Sequence, residues 1–428
     1  MAEKKKISLP MKILIAMVAG TLLGLLFLEK GLFFNAATQT AHAFFNPGTI
    51  TTWIRPFGTL FLQLIQFIVV PVVLCSLITG VVNLKDINKL GSIGGKILLF
   101  YLCTTIFALA IGFSLALIFK GFYPVIPNLA EYTYEAATVD ITTTLLGLFP
   151  NNIIVPFNAP PQMLPIIFIS IAVGLGILTT REKGALVGSF FEAANEVFMK
   201  IMMFIVNLAP YGVFALMAWV VANHGPGLFI GLGTVLLAAY LAYILHMAIV
   251  YSLAVSSLGG MSPLKFFKGM GPAMAVAFSS ASSLASLAIN IDCAKKLGCR
   301  EHVVNFGLPL GANINSDGTA IYQGIASVFI AACYGIDLTI GQMLMITLTA
   351  TLASFGIAGV PGAGMIMLAM VLGSVGLPIE GIAIIAGIDR LFDMGRTTLN
   401  VVGDVVGVIV VDKMEEKKEL RADKKAAA

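Results

Sequence analysis

The sequence predicts an all-α polytopic membrane protein, and three observations carry that reading. Of its 428 residues, 58% are hydrophobic and only 11% charged, with a mean hydropathy of +0.96. Soluble domains run near 25% charged and about 45–50% apolar. Apolar stretches close to the ~20 residues that cross a bilayer recur along the chain. The last of them carries a line of polar residues, Asp389, Asp393, Arg396, Asn400 and Asp404, spaced four, three, four and four apart. At about 100° per residue these five fall within roughly 80° of one helix face.

The first span is expected at 13–28. Met1 to Lys12 carries Lys4, Lys5, Lys6 and Lys12 and shows no A-x-A-type cleavage site, so this span is expected to be retained. Further spans are expected at 57–82, 97–119, 164–180, 195–222 and 228–256. If they alternate, the basic N-terminus, the 83–96 loop with Lys85, Lys89 and Lys96, the 181–183 loop with Arg181 and Lys183, and the basic tail from Lys413 fall on one side. The positive-inside rule makes that side the cytoplasm, with both termini there. The longer 29–56 and 120–163 connections, poorer in Lys and Arg, are expected outside.

Beyond residue 256 the rhythm changes. Residues 262–294 are apolar but broken at Ser279, Ser280, Ala281, Ser282 and Ser283, with positive charge at both ends, which fits a re-entrant hairpin entering from the cytoplasm. Residues 340–376 are broken at Gly356, Gly359, Pro361, Gly362 and Gly364, and their flanks lack Lys and Arg, which fits a hairpin from the opposite side. Between them, 302–333 is apolar at each end and interrupted over Gly311 to Gly318. Non-helical backbone at membrane depth survives only inside protein or along a cavity. Paired broken segments of opposite entry point to an inverted-repeat transporter and to its binding site. The final span is expected at 379–411, followed by a cytoplasmic tail over 413–428.

The polar stripe lies where charge costs at least ~2.5–3.5 kcal/mol on insertion scales, so it marks a functional site. A self-satisfied Asp393–Arg396 pair would hold a bundle together, but it leaves two carboxylates and an Asn unexplained. Both signs are present, as a zwitterion and small cations require. In Gly311-Ala-Asn-Ile-Asn-Ser-Asp-Gly318-Thr319, small residues release backbone carbonyls, and Asn313, Asn315 and Asp317 add hard oxygen donors, the ligand set of an oxygen-seeking cation. A plain Asx-Gly turn is the competing reading. The Ser279 to Ser283 tip offers hydroxyls and amides to an anion, or packs between helices. Cys75, Cys103, Cys293, Cys299 and Cys333 show no metal-ligand spacing with the four histidines and read as apolar fillers. His42, His224, His246 and His302 lie outside all three polar motifs, so Ser-His-Asp chemistry is not indicated. The net charge of +4 forms no basic stripe that would suggest nucleic acid.

Three motifs in order, Gly311-Ala-Asn-Ile-Asn-Ser-Asp-Gly-Thr319 with Tyr322-Gln-Gly324, Ala358-Gly-Val-Pro-Gly-Ala-Gly364, and Asp393-Met-Gly-Arg-Thr-Thr-Leu-Asn400 with Gly403-Asp404, resemble the glutamate transporter family of dicarboxylate and amino-acid:cation symporters. The resemblance covers nearly the whole chain and is strongest from 262 to 411. It implies a homotrimer with eight transmembrane spans and two re-entrant hairpins per protomer. Spans 1, 2, 4 and 5 of the 1–256 region form a scaffold, while spans 3 and 6 move with the 257–412 transport core as an elevator.

Carried over by position, the resemblance assigns Asp393 to a substrate's α-amino group, Arg396 to its side-chain carboxylate, and Asn400 with Thr397 to its α-carboxylate. Ser283, Ser316, Thr319, Val360 and Gly364 line or close the pocket. One sodium site uses Gly311, Asn315, Asn400 and Asp404. A second uses carbonyls around Asn313, Ser354, Phe355 and Ile357, and a third uses Tyr101, Thr104, Thr105, Asn315 and Asp317. An Arg fork suits a carboxylate and an Asp an ammonium on chemical grounds alone.

Ser316 stands where the family commonly has Met, and Ile357 where it often has Thr. Ala281, Leu284, Ala285 and Ala288 alter the usual first-hairpin tip. Some members carry Arg at the position of Ala281, and Arg390 is placed to supply a positive charge from the other side. The expected function is a symporter of the cytoplasmic (inner) membrane, importing aspartate or glutamate with sodium. Proton coupling in place of sodium, and cystine as substrate, are the alternatives. A channel is the rival class, disfavoured because polarity concentrates in the last third of the chain. An intramembrane enzyme lacks a nucleophile–base pair in these motifs.

Overall fold

The computed structural model describes residues 9–28, 34–35, 40–41, 44–83, 92–126, 146, 149–158, 161–180, 182–225, 228–354 and 363–426. Lys4, Lys5, Lys6, Lys85, Lys89, Arg181, Phe355, Ile357 and Val360 lie outside the described residues.

The chain folds into α-helices: α1 (Leu9–Leu26), α2 (Pro47–Trp53), α3 (Arg55–Asn83), α4 (Ser92–Phe119), α5 (Met163–Thr179), α6 (Glu182–Asn207), α7 (Ala209–His224) and α8 (Leu228–Leu245). Then come α9 (Pro263–Ser280), α10 (Ser283–Lys296), α11 (Glu301–Ile314), α12 (Asp317–Cys333), α13 (Ile340–Ser354), α14 (Ala363–Ser374), α15 (Ile382–Ala386) and α16 (Asp389–Ala426). One exception to the all-α expectation is a minimal antiparallel ladder, β1 (Phe34–Asn35) on β2 (Thr40–Ala41). Among the described residues, four helical stretches are long and apolar enough to cross a bilayer: Arg55–Val82, Ile93–Phe122, Leu228–Leu258 and Asp389–Leu420. The chain is a multi-pass helical membrane protein.

Local chemistry explains the boundaries. Asn46 caps α2 by accepting from the Thr49 N–H at 3.2 Å, with Pro47 in the first turn where its missing N–H costs nothing. The span expected at 195–222 is instead two helices, α6 and α7, bent by 46° across Leu208. Pro210 supplies the cause, since it cannot donate into the preceding turn. The segment expected at 379–411 is likewise divided: a 3₁₀ turn over Ile379–Gly381, then α15, then a break at Gly387 and Ile388 before α16 begins at Asp389.

The expected cytoplasmic tail is helical, because α16 continues unbroken to Ala426. At ~1.5 Å per residue this helix outruns a ~30 Å hydrocarbon core. Ion pairs tie its far half down: Lys96 with Glu415, and Arg300 with Asp412 at 2.6 Å and Glu419 at 2.7 Å.

Two groups of helices share most of their packing. α1 lies along α7, and α3 packs on α5, α6 and α7. α4 packs on α12 and α8, while α9, α10, α11 and α12 all pack on α16. The α16 window is 94% buried, the most enclosed of the four candidate spans. A helix so enclosed tolerates polar groups only where other side chains answer them.

Candidate substrate and cation site

The site forms where two interrupted segments meet α16. Between α11 and α12, Asn315 (φ −74°, ψ 115°) and Ser316 (φ −136°, ψ 36°) leave helical geometry for two residues, so carbonyls at the end of α11 and amides at the start of α12 need partners outside the helical ladder. The gap fits against α16 without clearance: a Cβ on Gly318 would meet the Arg396 carbonyl at 2.3 Å. The Gly318 N–H instead donates to Asn400 Oδ1 at 2.7 Å.

All five stripe residues are buried, none more than 8% exposed. Arg396 is the hub. Its Nε donates to Asp393 Oδ1 at 2.9 Å, its Nη1 donates to Asp389 Oδ1 at 3.2 Å, and its guanidinium carbon sits 4.9 Å over the Tyr322 ring. Nη2 is buried with no partner. A buried donor left unmade costs about 1–3 kcal/mol, more when charged, so this nitrogen marks the place of an acceptor. Gly364, the second residue of α14, closes over the same group: a Cβ there would lie 2.0 Å from Nη1. Arg390 reaches Asp393 Oδ2 at 3.1 Å through Nη1, and the Ser280 carbonyl at 2.9 Å through Nη2. Thr397 Oγ1 lies 3.5 Å from Asp393 Oδ1. Both Asp393 oxygens are therefore engaged by arginines.

Ser283, Ser316 and Thr319 are buried at the two breaks, and Thr319 Oγ1 accepts from Asn400 Nδ2 at 3.4 Å. Val360 lies outside the described residues.

One turn further along α16 a second cluster is rich in oxygen acceptors. Asn315 Nδ2 donates to Asp404 Oδ1 at 3.0 Å and to the Asn400 carbonyl at 2.9 Å, while Asn315 Oδ1 and Asp404 Oδ2 are buried without partners. Gly311 faces this pair, its absent Cβ 3.0 Å from Asp404 Oδ1. Tyr101 Oη donates to the Asp404 carbonyl at 3.1 Å. Two unanswered acceptors, one of them on a buried carboxylate, suit a small hard cation.

Asp317 lies close by, accepting from Thr105 at 2.8 Å on Oδ1 and from Tyr251 at 2.8 Å on Oδ2. Thr104 is buried, with its hydroxyl turned back to the Tyr101 carbonyl. Ser354 ends α13 and donates to the Thr351 carbonyl. The Asn313 side chain does not join the cluster: it is exposed and donates to the Pro309 carbonyl at 2.8 Å. Phe355 and Ile357 lie outside the described residues.

Four neighbours had no role at the site assigned to them from the sequence. Tyr322 lies under Arg396, and Tyr251 holds Asp317. His246 is fully buried with Nε2 3.4 Å from Asp317 Oδ2, although in sequence it stands apart from every polar motif. Ser280 meets Arg390 through a backbone carbonyl, which no residue type announces. His246 and Tyr251 fall in a π-helical turn, His246–Tyr251, and their rings meet edge to face at 4.7 Å. At the α-helical ~100° per residue, positions five apart diverge by about 140°. The wider turn brings them together.

The family model for the sodium:dicarboxylate symporter family matches residues 9–414. The chain is 36% identical over 431 residues to a proton/glutamate-aspartate symporter of Escherichia coli (strain K12), covering 96% of this chain and 94% of that protein. It is 34% identical over 420 residues to a proton/sodium-glutamate symport protein of Bacillus caldotenax, covering 96% and 95%. It is 30% identical over 371 residues to a C4-dicarboxylate transport protein of Bacillus subtilis (strain 168), covering 85% and 88%. These names describe transporters, not enzymes. The chain belongs to the sodium:dicarboxylate symporter family.

Proposed function

We propose that this protein is a symporter of the cytoplasmic membrane that imports an acidic amino acid, aspartate or glutamate, together with sodium. The observation that carries the substrate class is Arg396: a buried guanidinium with one nitrogen unanswered, packed under Gly364. A guanidinium edge matches a carboxylate by two parallel hydrogen bonds. Asp393, next to it, suits an ammonium, which a plain dicarboxylate lacks. Asn400 and Thr397 then face the α-carboxylate, and Ser283, Ser316, Thr319, Val360 and Gly364 enclose the ligand.

Formal charge supports co-transport. Around the substrate position the Asp389 and Asp393 carboxylates are offset by the Arg390 and Arg396 guanidinium groups. Asp317 and Asp404 leave two negative charges one turn away, and binding an acidic amino acid adds one more. Cations must enter with it. In this reading Gly311, Asn315, Asn400 and Asp404 hold one sodium, and Tyr101, Thr104, Thr105, Asn315 and Asp317 hold another. Carbonyls around Asn313, Ser354, Phe355 and Ile357 hold a third.

The two packing groups support an elevator, in which α4, α8 and the core from α9 to α16 move against a scaffold of α1, α3, α5, α6 and α7. The reading includes eight spans, two hairpins of opposite entry, cytoplasmic termini and a homotrimer. Proton coupling is the second reading, favoured by the buried, partnerless Asp404 Oδ2, which could take a proton as readily as a cation. Uptake of aspartate into liposomes, with sodium and proton gradients imposed separately, decides between them. Uptake driven by neither gradient refutes both.

A further inference from the structure

Arg390 is the second residue of α16, where the positive end of the helix dipole disfavours a cation. It is not turned to solvent, since its side chain is 13% exposed. It crosses instead to the far end of α9 and donates through Nη2 to the carbonyl of Ser280, the last residue of that helix. A helix C-terminus leaves carbonyls unsatisfied and carries the negative end of the dipole, so it is a favourable place for a cation.

The next residue adds a second observation. Ala281 has φ 48° and ψ 46°, and among the described residues it is the one non-glycine residue with positive φ. A left-handed conformation is strained for an L-residue and persists only where its surroundings fix it. Ser282 then caps α10 through the Ala285 N–H. The turn between α9 and α10 is thus held in a strained shape, and Arg390 reaches it from outside the hairpin.

The same guanidinium holds Asp393 Oδ2 through Nη1. We infer that Arg390 is a latch residue: one guanidinium fastens the strained tip of the α9–α10 hairpin to Asp393, so the hairpin opens only by breaking that bond. It is a positioning residue, acting on the site through the hairpin tip and the orientation of Asp393. A ligand ammonium arriving at Asp393 meets a carboxylate that Nη1 holds ionised and oriented, so occupancy and hairpin position are linked. This last step rests on the proposed role of Asp393, whereas the latch itself does not.

The test is hydrogen exchange on the full-length protein in detergent, free of substrate and sodium, for wild type, Arg390→Gln, Arg390→Lys and Ala281→Gly. In Arg390→Gln, amides over 279–286 are expected to exchange about fivefold faster or more, with those of α12 and the apolar part of α16 unchanged. Arg390→Lys, whose ammonium cannot span both partners, is expected between Arg390→Gln and wild type. Ala281→Gly, which relieves the strain and keeps the latch, is expected to stay within about twofold of wild type.

Wild-type exchange at the tip in Arg390→Gln overturns the inference. So does equal acceleration across α12 and α16, which would make Arg390 a general structural residue. The same proteins are then tested for radiolabelled aspartate. Under the proposed function, Arg390→Gln raises the aspartate KM by roughly tenfold with less than about a threefold change in maximal rate, and Arg390→Lys recovers part of it. If wild type itself does not bind aspartate while the tip exchange responds as expected, the substrate reading fails and the latch stands.

Discussion

Replacing Arg396 is the sharpest test of the site. Its guanidinium answers Asp393 at 2.9 Å and Asp389 at 3.2 Å, rests on Tyr322, and is 2% exposed. Truncating one partner of a buried, hydrogen-bonded charge pair typically costs about 2–5 kcal/mol. At about 1.4 kcal/mol per tenfold, Arg396→Cys should weaken aspartate and glutamate between about thirtyfold and several thousandfold. Asp393 keeps Arg390 as a partner, so its affinity for an ammonium persists, and small neutral amino acids are expected to gain relative to acidic ones.

Loss of the buried pair also threatens the fold, by about 3–5 kcal/mol. Arg396→Lys therefore serves as the control. It keeps the charge but loses the fork, and should weaken acidic ligands by about tenfold while the protein remains folded. The assay is equilibrium binding of aspartate, glutamate, serine and alanine to purified protein at fixed sodium. If Arg396→Cys binds aspartate and glutamate within about threefold of wild type, the role of Arg396 is wrong, because that gap is far below the estimate.

Further outcomes follow from neighbouring groups. Asp404→Asn should raise the sodium needed for half-saturation of aspartate binding by more than about tenfold, measured by titrating aspartate affinity against sodium. An unchanged sodium dependence removes Asp404 from the cation site. Tyr251→Phe deletes one of the hydroxyls held by Asp317, worth about 1.5–3 kcal/mol for a bond to a charged group. It should shift the same titration while leaving affinity at saturating sodium nearly unchanged. Gly364→Ala puts a methyl group where Arg396 Nη1 now lies, so the guanidinium must move. Its aspartate KM is expected to rise by more than about tenfold, and an unaltered KM would show that Arg396 does not meet the ligand in this position.

The sequence made the helical class and the hinge positions legible because each has a local chemical signature. Serines at 279–283 and the Asn–Ser pair at 315–316 coincide with real breaks, and the four-three-four-four spacing survives as one buried face of α16. Three features were out of reach. The bend between α6 and α7 depends on one proline within an apolar run that reads as a single span. The helical continuation past Val411 depends on ion pairs with Lys96 and Arg300, more than a hundred residues away in the chain. The approach of His246 and Tyr251 to Asp317 depends on a π turn, which shifts the helical phase without changing composition. Periodicity reads a face correctly only while the helix keeps its ordinary winding.

Asn400 is where the two clusters touch. Its side-chain oxygen accepts from the Gly318 N–H, its side-chain nitrogen reaches Thr319 Oγ1, and its backbone carbonyl accepts from Asn315, whose amide also holds Asp404. Moving any of these groups moves the other cluster, because α12 begins on the side chain of Asn400 and the residue that ends α11 rests on its backbone carbonyl. Under the proposed function that geometry makes sodium and substrate partners in one equilibrium, and linkage then requires each to raise the other's affinity by the same factor. Asn400→Ala should therefore shrink both effects together, and by equal factors. The measurement is aspartate affinity with and without sodium, and sodium affinity with and without aspartate. Undiminished mutual enhancement in Asn400→Ala would show that the coupling does not run through this side chain.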